Sequence, residues 1–459
     1  MKQCMKCACK KKYFPQRYVL ALLCILGVIV GYGQRICLSF AITEMTDKNA
    51  SRSSACPERN HTFIKSSPHN TTGGILDWTN TEQHYVIGSF YIGYCIGHIP
   101  AGILCDHFGA LAILLRIIMG LAQSVIFPAI SVLYDKWVPT DKVWFWLAFA
   151  MAANAPGTVF GNLLPGAVIQ VYGSWPRAFN VWGIIGVLWC PIYLAYVYSK
   201  PDTHRCMTDT EKDLLKDAVK VHPHMKYPWK DILTCLQFWA IVAAEIGHGF
   251  TLYTLANNLP KYIHNVLQYE MAENALASSI PFAMQWFGAL ISCKIIEFLI
   301  SKKGIRIICC RKITTSIGLV VPPLFNVIAG FLRCDGIIVF VMFAIGMLFK
   351  GCCYAGLKVH HLDMSINFRG ILMALINGIG GISGFISSFL ISAMTPKNTI
   401  DEWMIIFWIL FGIAICANIF YYIFCPAERQ KWDYPPEEMN EYEKAREEKE
   451  KRKAAKNAK

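Results

Sequence analysis

Eleven long apolar runs, separated by short polar segments, constrain this chain more than any other feature. They fall near residues 18–42, 85–104, 111–134, 145–171, 179–198, 238–259, 276–300, 313–332, 337–357, 370–394 and 404–424. A helix needs about 20 apolar residues to cross the hydrocarbon of a bilayer, and it satisfies its own backbone there. The expected fold class is therefore all-α and polytopic in a membrane. Composition agrees: only 16% of the 459 residues are charged and 54% are hydrophobic, against about 25% charged in soluble domains. The first run is as long as a full span and lacks a small-residue cleavage site, so it reads as a span rather than a removable signal.

The net charge of +13 does not point to nucleic acid. The basic residues sit in tails and loops between apolar runs, which is the positive-inside pattern. That pattern predicts a cytosolic N-tail (1–17), central loop (199–234) and C-tail (426–459). Residues 441–456 alternate acids and bases, as a solvated helix does. The polar loop 43–81 carries three Asn-X-Ser/Thr sequons, at Asn49, Asn60 and Asn70, which place it outside or in a lumen. The 19 cysteines form no evident disulfide framework; most lie in apolar runs, where Cys acts as a small hydrophobe. Cys4, Cys7 and Cys9 lie among lysines just before the first span. They read equally as palmitoylation sites or as an unmodified basic tail; a zinc site lacks its fourth ligand.

The central loop divides the chain into an N-terminal bundle (18–198) and a C-terminal bundle (235–425). Two bundles around a midplane site are the plan of many secondary carriers. Specific strings sharpen this. Arg35, Cys37, Ser39 and Ala41 follow an R-x-N-L-S-x-A-I pattern with Cys37 for Asn. Gly88, Ser89, Phe90, Gly93 and Tyr94 follow G-S-F-x-x-G-Y, and Ile99-Pro100-Ala101-Gly102 follows I-P-G-G. Arg116, Gly120 and Phe127-Pro128-Ala129 follow R-x-x-x-G…F-P-A. In the second half Pro228-Trp229-Lys230, Phe238-Trp239-Ala240-Ile241, Lys358-Val359-His360-His361-Leu362-Asp363 and Gly370 to Asn377 match as well. Over residues 17–432 the chain resembles the anion/phosphate branch of the major facilitator superfamily, which holds sodium–phosphate cotransporters, sialin and vesicular glutamate transporters. Insect inorganic phosphate cotransporter sequences look most similar.

The departures carry information too. The family's acidic residue after R-x-x-x-G is replaced by Ala122-Gln123-Ser124. Its W-x-P-P-x-E-R motif reads Trp137-Val138-Pro139-Thr140-Asp141-Lys142. The second-span His of glutamate carriers aligns with Ile87, and an Arg of the seventh family helix aligns near His248. The resemblance thus implies an anion carrier and argues against glutamate.

One helix is out of place. Gly102 to Gly109, with Asp106 inside it, resembles the G-x-x-x-D-x-x-G loop after the second family helix. Only six residues then precede Arg116, too few to cross about 30 Å at 1.5 Å per residue. The charge pattern puts both tails and the central loop on one side, which needs an even number of spans, but eleven are visible. The N-terminal bundle is therefore expected to lack its third helix.

Intramembrane ionisable residues are expensive and mark function. Arg35 is the expected substrate ligand, since a guanidinium grips a carboxylate or phosphate with two parallel hydrogen bonds. The bland reading is an Arg snorkelling to the interface. Tyr94, Asn154, Tyr253 and Asn377 are expected to line the cavity, or to serve as helix–helix glue. Glu245 and His248, one turn apart, are expected to couple transport to a proton or sodium ion. Asp106, Arg116, His361 and Asp363 are assigned to gating. The His360-His361 pair and Asp363 could suggest a metal site or an acyltransferase motif, but that motif needs its Asp three residues beyond the pair and here one residue intervenes, so the cluster reads as a gating and cytosolic-loop element. Arg369 replaces a small family residue.

The expectation is a monomeric sodium- or proton-coupled symporter of inorganic phosphate or a small organic anion, in the plasma membrane or a lysosomal or vesicular membrane. Its partners are the anion and membrane lipids, and it has no cofactor beyond the co-transported ion. No nucleophile, base and orienter occur together, so no enzyme is expected. The alternative is a non-transporting form, because one helix is missing.

Overall fold

The structure, a computed structural model, describes residues 15–45, 56, 80–96, 118–139, 142–198, 201, 211, 213, 215, 226–425, 428–439 and 443. Five long helices form the first half: α1 (Gln16–Met45), α2 (Asn80–Ile96), α3 (Ile118–Trp137), α4 (Val143–Tyr172) and α5 (Trp175–Tyr196). Six form the second: α6 (Leu236–Asn265), α7 (Met271–Lys303), α8 (Ile307–Phe331), α9 (Gly336–Met364), α10 (Arg369–Met394) and α11 (Ile400–Phe424). Among the described residues nine of these are long and apolar enough to span by composition alone. The other two are α2, of which 17 residues are described, and α6, which carries more polar residues.

The distribution of side chains is that of a membrane bundle. Leu22, Val187, Leu194, Phe298, Ile337 and Phe389 are exposed on the outer faces, which lipid tails accept without penalty. Polar groups turn inward: Arg35, Asn154, Glu245, His248, Gln285 and Asn377 are all buried. The halves join along two seams, α2 on α10 and α4 on α7. Tyr91 lies flat against Gly384, where any side chain would collide with its ring. On the other seam Asn162 donates to the Ser278 carbonyl (3.4 Å) and Ser279 to the Val159 carbonyl (3.3 Å).

Helix α9 is interrupted after Lys350, continuing as short turns Cys352–Ala355, Leu357–Val359 and His361–Met364. Its break is seated on α7. A Cβ on Gly351 would stand 2.3 Å from the Ala289 nitrogen, and one on Gly288 would stand 1.9 Å from the Leu348 carbonyl. Only glycine permits this backbone approach. Interrupted helices of this kind expose carbonyls and side chains to a central site.

One end of the bundle gathers the basic segments. Glu211 accepts the Gln16 and Arg17 backbone N–H groups (both 3.1 Å), satisfying donors that open α1. Trp137, closing α3, donates to the Tyr198 carbonyl (3.0 Å). In the tail, Asp433 accepts the Ile366 and Asn367 N–H groups (2.8 and 3.0 Å) beside the start of α10. Arg369 ion-pairs with Asp135 across the halves at this same end. At the opposite end Cys56, in the loop after α1, is disulfide-bonded to Cys334, between α8 and α9, 278 residues away. The cysteines are thus not all free hydrophobes.

The order of directions explains the odd span count. Gln123 donates to the Gly31 carbonyl (3.0 Å) and Tyr134 to the Ala21 carbonyl (3.2 Å), so α3 runs antiparallel to α1. Val86 packs near Ala41 and Met45, and Phe90 near Arg35, so α2 is antiparallel to α1 as well. Consecutive helices α2 and α3 are therefore parallel, and the described tail segment returns to the end where α1 begins. The expected loss of the third helix falls on residues 97–117, outside the described residues, as do Asp106 and Arg116. In the second half α8 packs on α9 and α11. Among the described residues no helix takes the matching place on α3 and α5. A groove of about 440 Å³ lies there, lined by Gly31, Gln34, Gln123, Ile126, Trp189 and Tyr193.

Candidate functional site

Arg35 sits in the middle of α1 and is only 5% exposed. Its guanidinium lies against four aromatic rings: Phe90 and Tyr91 at 4.4 Å, Tyr253 at 4.8 Å and Tyr32 at 5.2 Å. A planar, weakly hydrated cation suits such a cage better than an ammonium. The rings come from α1, α2 and α6, so the cage spans both halves. Tyr91 is held by the Asn257 side-chain amide (2.6 Å), and Tyr253 stacks edge-on against Tyr91. Tyr253 was expected from the sequence; Tyr32, Phe90, Tyr91 and Asn257 were not. Tyr32 stands one turn before Arg35, but Phe90, Tyr91 and Asn257 lie in two other apolar runs, where nothing in the sequence separates them from core packing.

A second polar centre lies in the other half. Glu245 on α6 forms a buried ion pair with Lys358 on the interrupted part of α9. Asn377 on α10 accepts from the same Lys358 ammonium (3.4 Å) and donates to the Met373 carbonyl (2.9 Å). His248 does not meet Glu245; its ring stands edge-on to Tyr354 at 6.1 Å. Tyr354 in turn donates to Asn154 (2.7 Å) and accepts from Gln285 (2.9 Å), bridging α4, α7 and α9. Asn154 and Asn377 thus stand in one polar belt between the halves, near Glu245 and His248. Sequence reasoning quoted Lys358 only as part of a motif, because a lysine near a helix end usually snorkels.

The remaining assigned residues sit elsewhere. Asp363 accepts from Arg311 (2.9 Å), whose other arm donates to the Ala355 carbonyl (2.5 Å). His361 is buried beside them, and His360 shares a hydrogen bond with Tyr421 (2.6 Å). This network braces α8, α9 and α11 at the basic end. Arg369, which stands where the family carries a small residue, makes the inter-half pair with Asp135. At the opposite end Lys261 donates to Gln83 (2.8 Å) and lies 3.5 Å from His84, joining α6 to α2. Tyr94 lies on α2, but its side chain, like Asn49, Asn60 and Asn70, is outside the described residues.

Comparison with known proteins agrees with this architecture. The Major Facilitator Superfamily model matches residues 110–388. Human sialin is 30% identical over 91% of this chain and 90% of its own. A Drosophila melanogaster protein named "Putative inorganic phosphate cotransporter" is 28% identical over 93% of this chain and 88% of its own. The inward-facing crystal structure of a bacterial homologue of the human lysosomal transporter Spinster superposes with a TM-score of 0.55 at 12% identity, covering 93% of this chain and all of that one. The chain belongs to the Major Facilitator Superfamily, in the group that holds sialin and the phosphate cotransporters, and is a multi-pass membrane transporter rather than an enzyme.

Proposed function

We propose that this chain carries a small anion, inorganic phosphate or an organic acid, across the plasma membrane or a lysosomal or vesicular membrane by alternating access, in symport with sodium or a proton. The observation that carries the reading is Arg35. A fixed cation in an aromatic cage shared by both halves binds an anion differently as the halves rock, and differential binding is what a carrier needs. The names of the relatives support the substrate class. Glu245 is the coupling carboxylate: a cation or proton that neutralises it releases Lys358 for the anion. The basic end is cytosolic by the positive-inside rule, and the Cys56–Cys334 end faces the oxidising side.

The test is uptake into proteoliposomes of labelled phosphate, sialic acid and urate under imposed sodium or proton gradients. The wild type accumulates at least one, and Arg35→Ala accumulates none. Accumulation unaffected by Arg35→Ala overturns the role given to Arg35. A second reading, a non-transporting membrane protein, is favoured by the parallel α2 and α3 and by the groove beside them. Absence of accumulation for every anion, in protein that is folded and correctly oriented, selects that reading.

A further inference from the structure

Lys350 ends the first part of α9, directly before the break at Gly351. It is fully buried, and its ammonium has no hydrogen-bond partner. The charged groups acting on it are Glu245 and Lys358, and Glu245 is already committed to Lys358. Both lysines act electrostatically on His248, which is fully buried with neither ring nitrogen hydrogen-bonded. The centre therefore holds two lysine cations and one carboxylate, with a surplus positive charge and unused donors at Lys350 and His248. A buried ammonium left uncompensated is among the costliest arrangements in a protein, and inside a membrane the cost is greater still. Lys350 is not at a helix end from which it reaches water: the chain continues past it as the interrupted part of the same span.

We propose that Lys350 and His248 form an anion subsite in the second half, taking a carboxylate or phosphate group. The incoming charge neutralises the surplus, the lysine ammonium donates to an anion oxygen, and a ring N–H of His248 donates to another. His248 stands edge-on to Tyr354 at 6.1 Å, and Tyr354 reaches across to Asn154 of the first half (2.7 Å). Arg35 belongs to the first half and Lys350 to the second. A substrate held by both is gripped by both moving parts. As a binding site the proposal stands on the buried charge alone; its use in uptake rests on the transport reading.

The experiment is thermal unfolding of the purified full-length chain in detergent, in low-chloride Hepes buffer, titrated with inorganic phosphate or sialic acid. The wild type gains Tm as one of these anions saturates. Lys350→Met, which removes the surplus charge at similar volume, has a higher Tm than the wild type without anion and gains nothing from it. Lys350→Arg keeps the gain. In proteoliposomes, Lys350→Met raises the uptake KM about ten-fold or more, the worth of one charged hydrogen bond. An anion-dependent gain in Lys350→Met equal to that of the wild type overturns the subsite, and so does a wild type indifferent to both anions. A Lys350-dependent gain in protein that accumulates neither anion keeps the subsite and rejects the transport reading.

Discussion

The buried pair of Glu245 with Lys358 allows a prediction whose sign depends on the neighbouring charge. For an isolated buried pair, removing either partner strands the other and costs about 3–5 kcal/mol. Here the two removals are not equivalent. Glu245→Gln leaves Lys350 and Lys358, two cations acting on one another, with no other carboxylate acting on Lys350 among the described residues. Lys358→Met leaves Glu245 and Lys350, two opposite charges that already act on one another. Glu245→Gln is therefore expected to cost the full 3–5 kcal/mol or more. Lys358→Met is expected to cost about 1.5 kcal/mol, the low end of a charged hydrogen bond. The double variant restores the wild-type surplus of one positive charge and recovers at least about 2 kcal/mol of the Glu245→Gln loss, a coupling typical of contacting residues. The assay is thermal unfolding in detergent, followed by loss of the monodisperse chromatographic peak. Equal destabilisation by the two single variants, or a double variant worse than Glu245→Gln, refutes the charge inventory drawn from the structure.

Three further outcomes follow from other parts of the molecule. Arg35→Lys keeps the charge but loses the planar face that lies against Phe90 and Tyr91, so uptake falls about ten-fold or more rather than being preserved; wild-type uptake refutes the cage's importance. Cleavage at a protease site inserted in the central loop leaves the halves joined on a non-reducing gel through Cys56–Cys334 and separates them after reduction. Separation without reductant refutes the bridge. Asp135→Arg weakens uptake by repelling Arg369 at the basic end; the reversed pair Asp135→Arg with Arg369→Asp restores most of it, and lack of rescue means that the two residues act independently.

Much of the fold was legible because the bilayer imposes a simple rule on sequence. Each of the eleven long helices overlaps one apolar run, and some match it closely: α10 occupies Arg369–Met394 where the sequence placed 370–394, while α3 and α9 depart from their runs by several residues at one end. Polar insertions such as Glu245 and His248 did not hide α6, since a span tolerates ionisable groups that face the bundle interior. The site was less legible. Arg35 stood out as a charge in the middle of an apolar run, but its aromatic cage did not, because Tyr32, Phe90, Tyr91 and Tyr253 look the same whether they face lipid, core or a cation. Lys350 was overlooked for a related reason: it follows an apolar run and precedes Gly351, where a lysine ordinarily marks the interface. Only the seating of α9 on Gly288 shows that the helix breaks and continues inside the bundle, so that this lysine is interior.

The parity of the spans joins these threads. Charge alone required both tails on one side, while hydropathy alone counted eleven runs, and the two statements conflict if neighbouring helices always alternate. The structure satisfies both by running α2 and α3 in the same direction, with the connection between them outside the described residues. The same part of the first half presents a groove where the second half places α8. Yet the groups proposed to bind and couple do not depend on that periphery. Arg35, Tyr253, Glu245, Lys350 and Asn377 lie on α1, α6, α9 and α10, and α6 packs on both α1 and α10. The seams α2 with α10 and α4 with α7, along which the halves meet, are likewise intact. A groove confined to the outer face of one half is therefore expected to bear on the stability of that half more than on its capacity to bind an anion. An anion-dependent gain in Tm is accordingly the observation to seek before uptake.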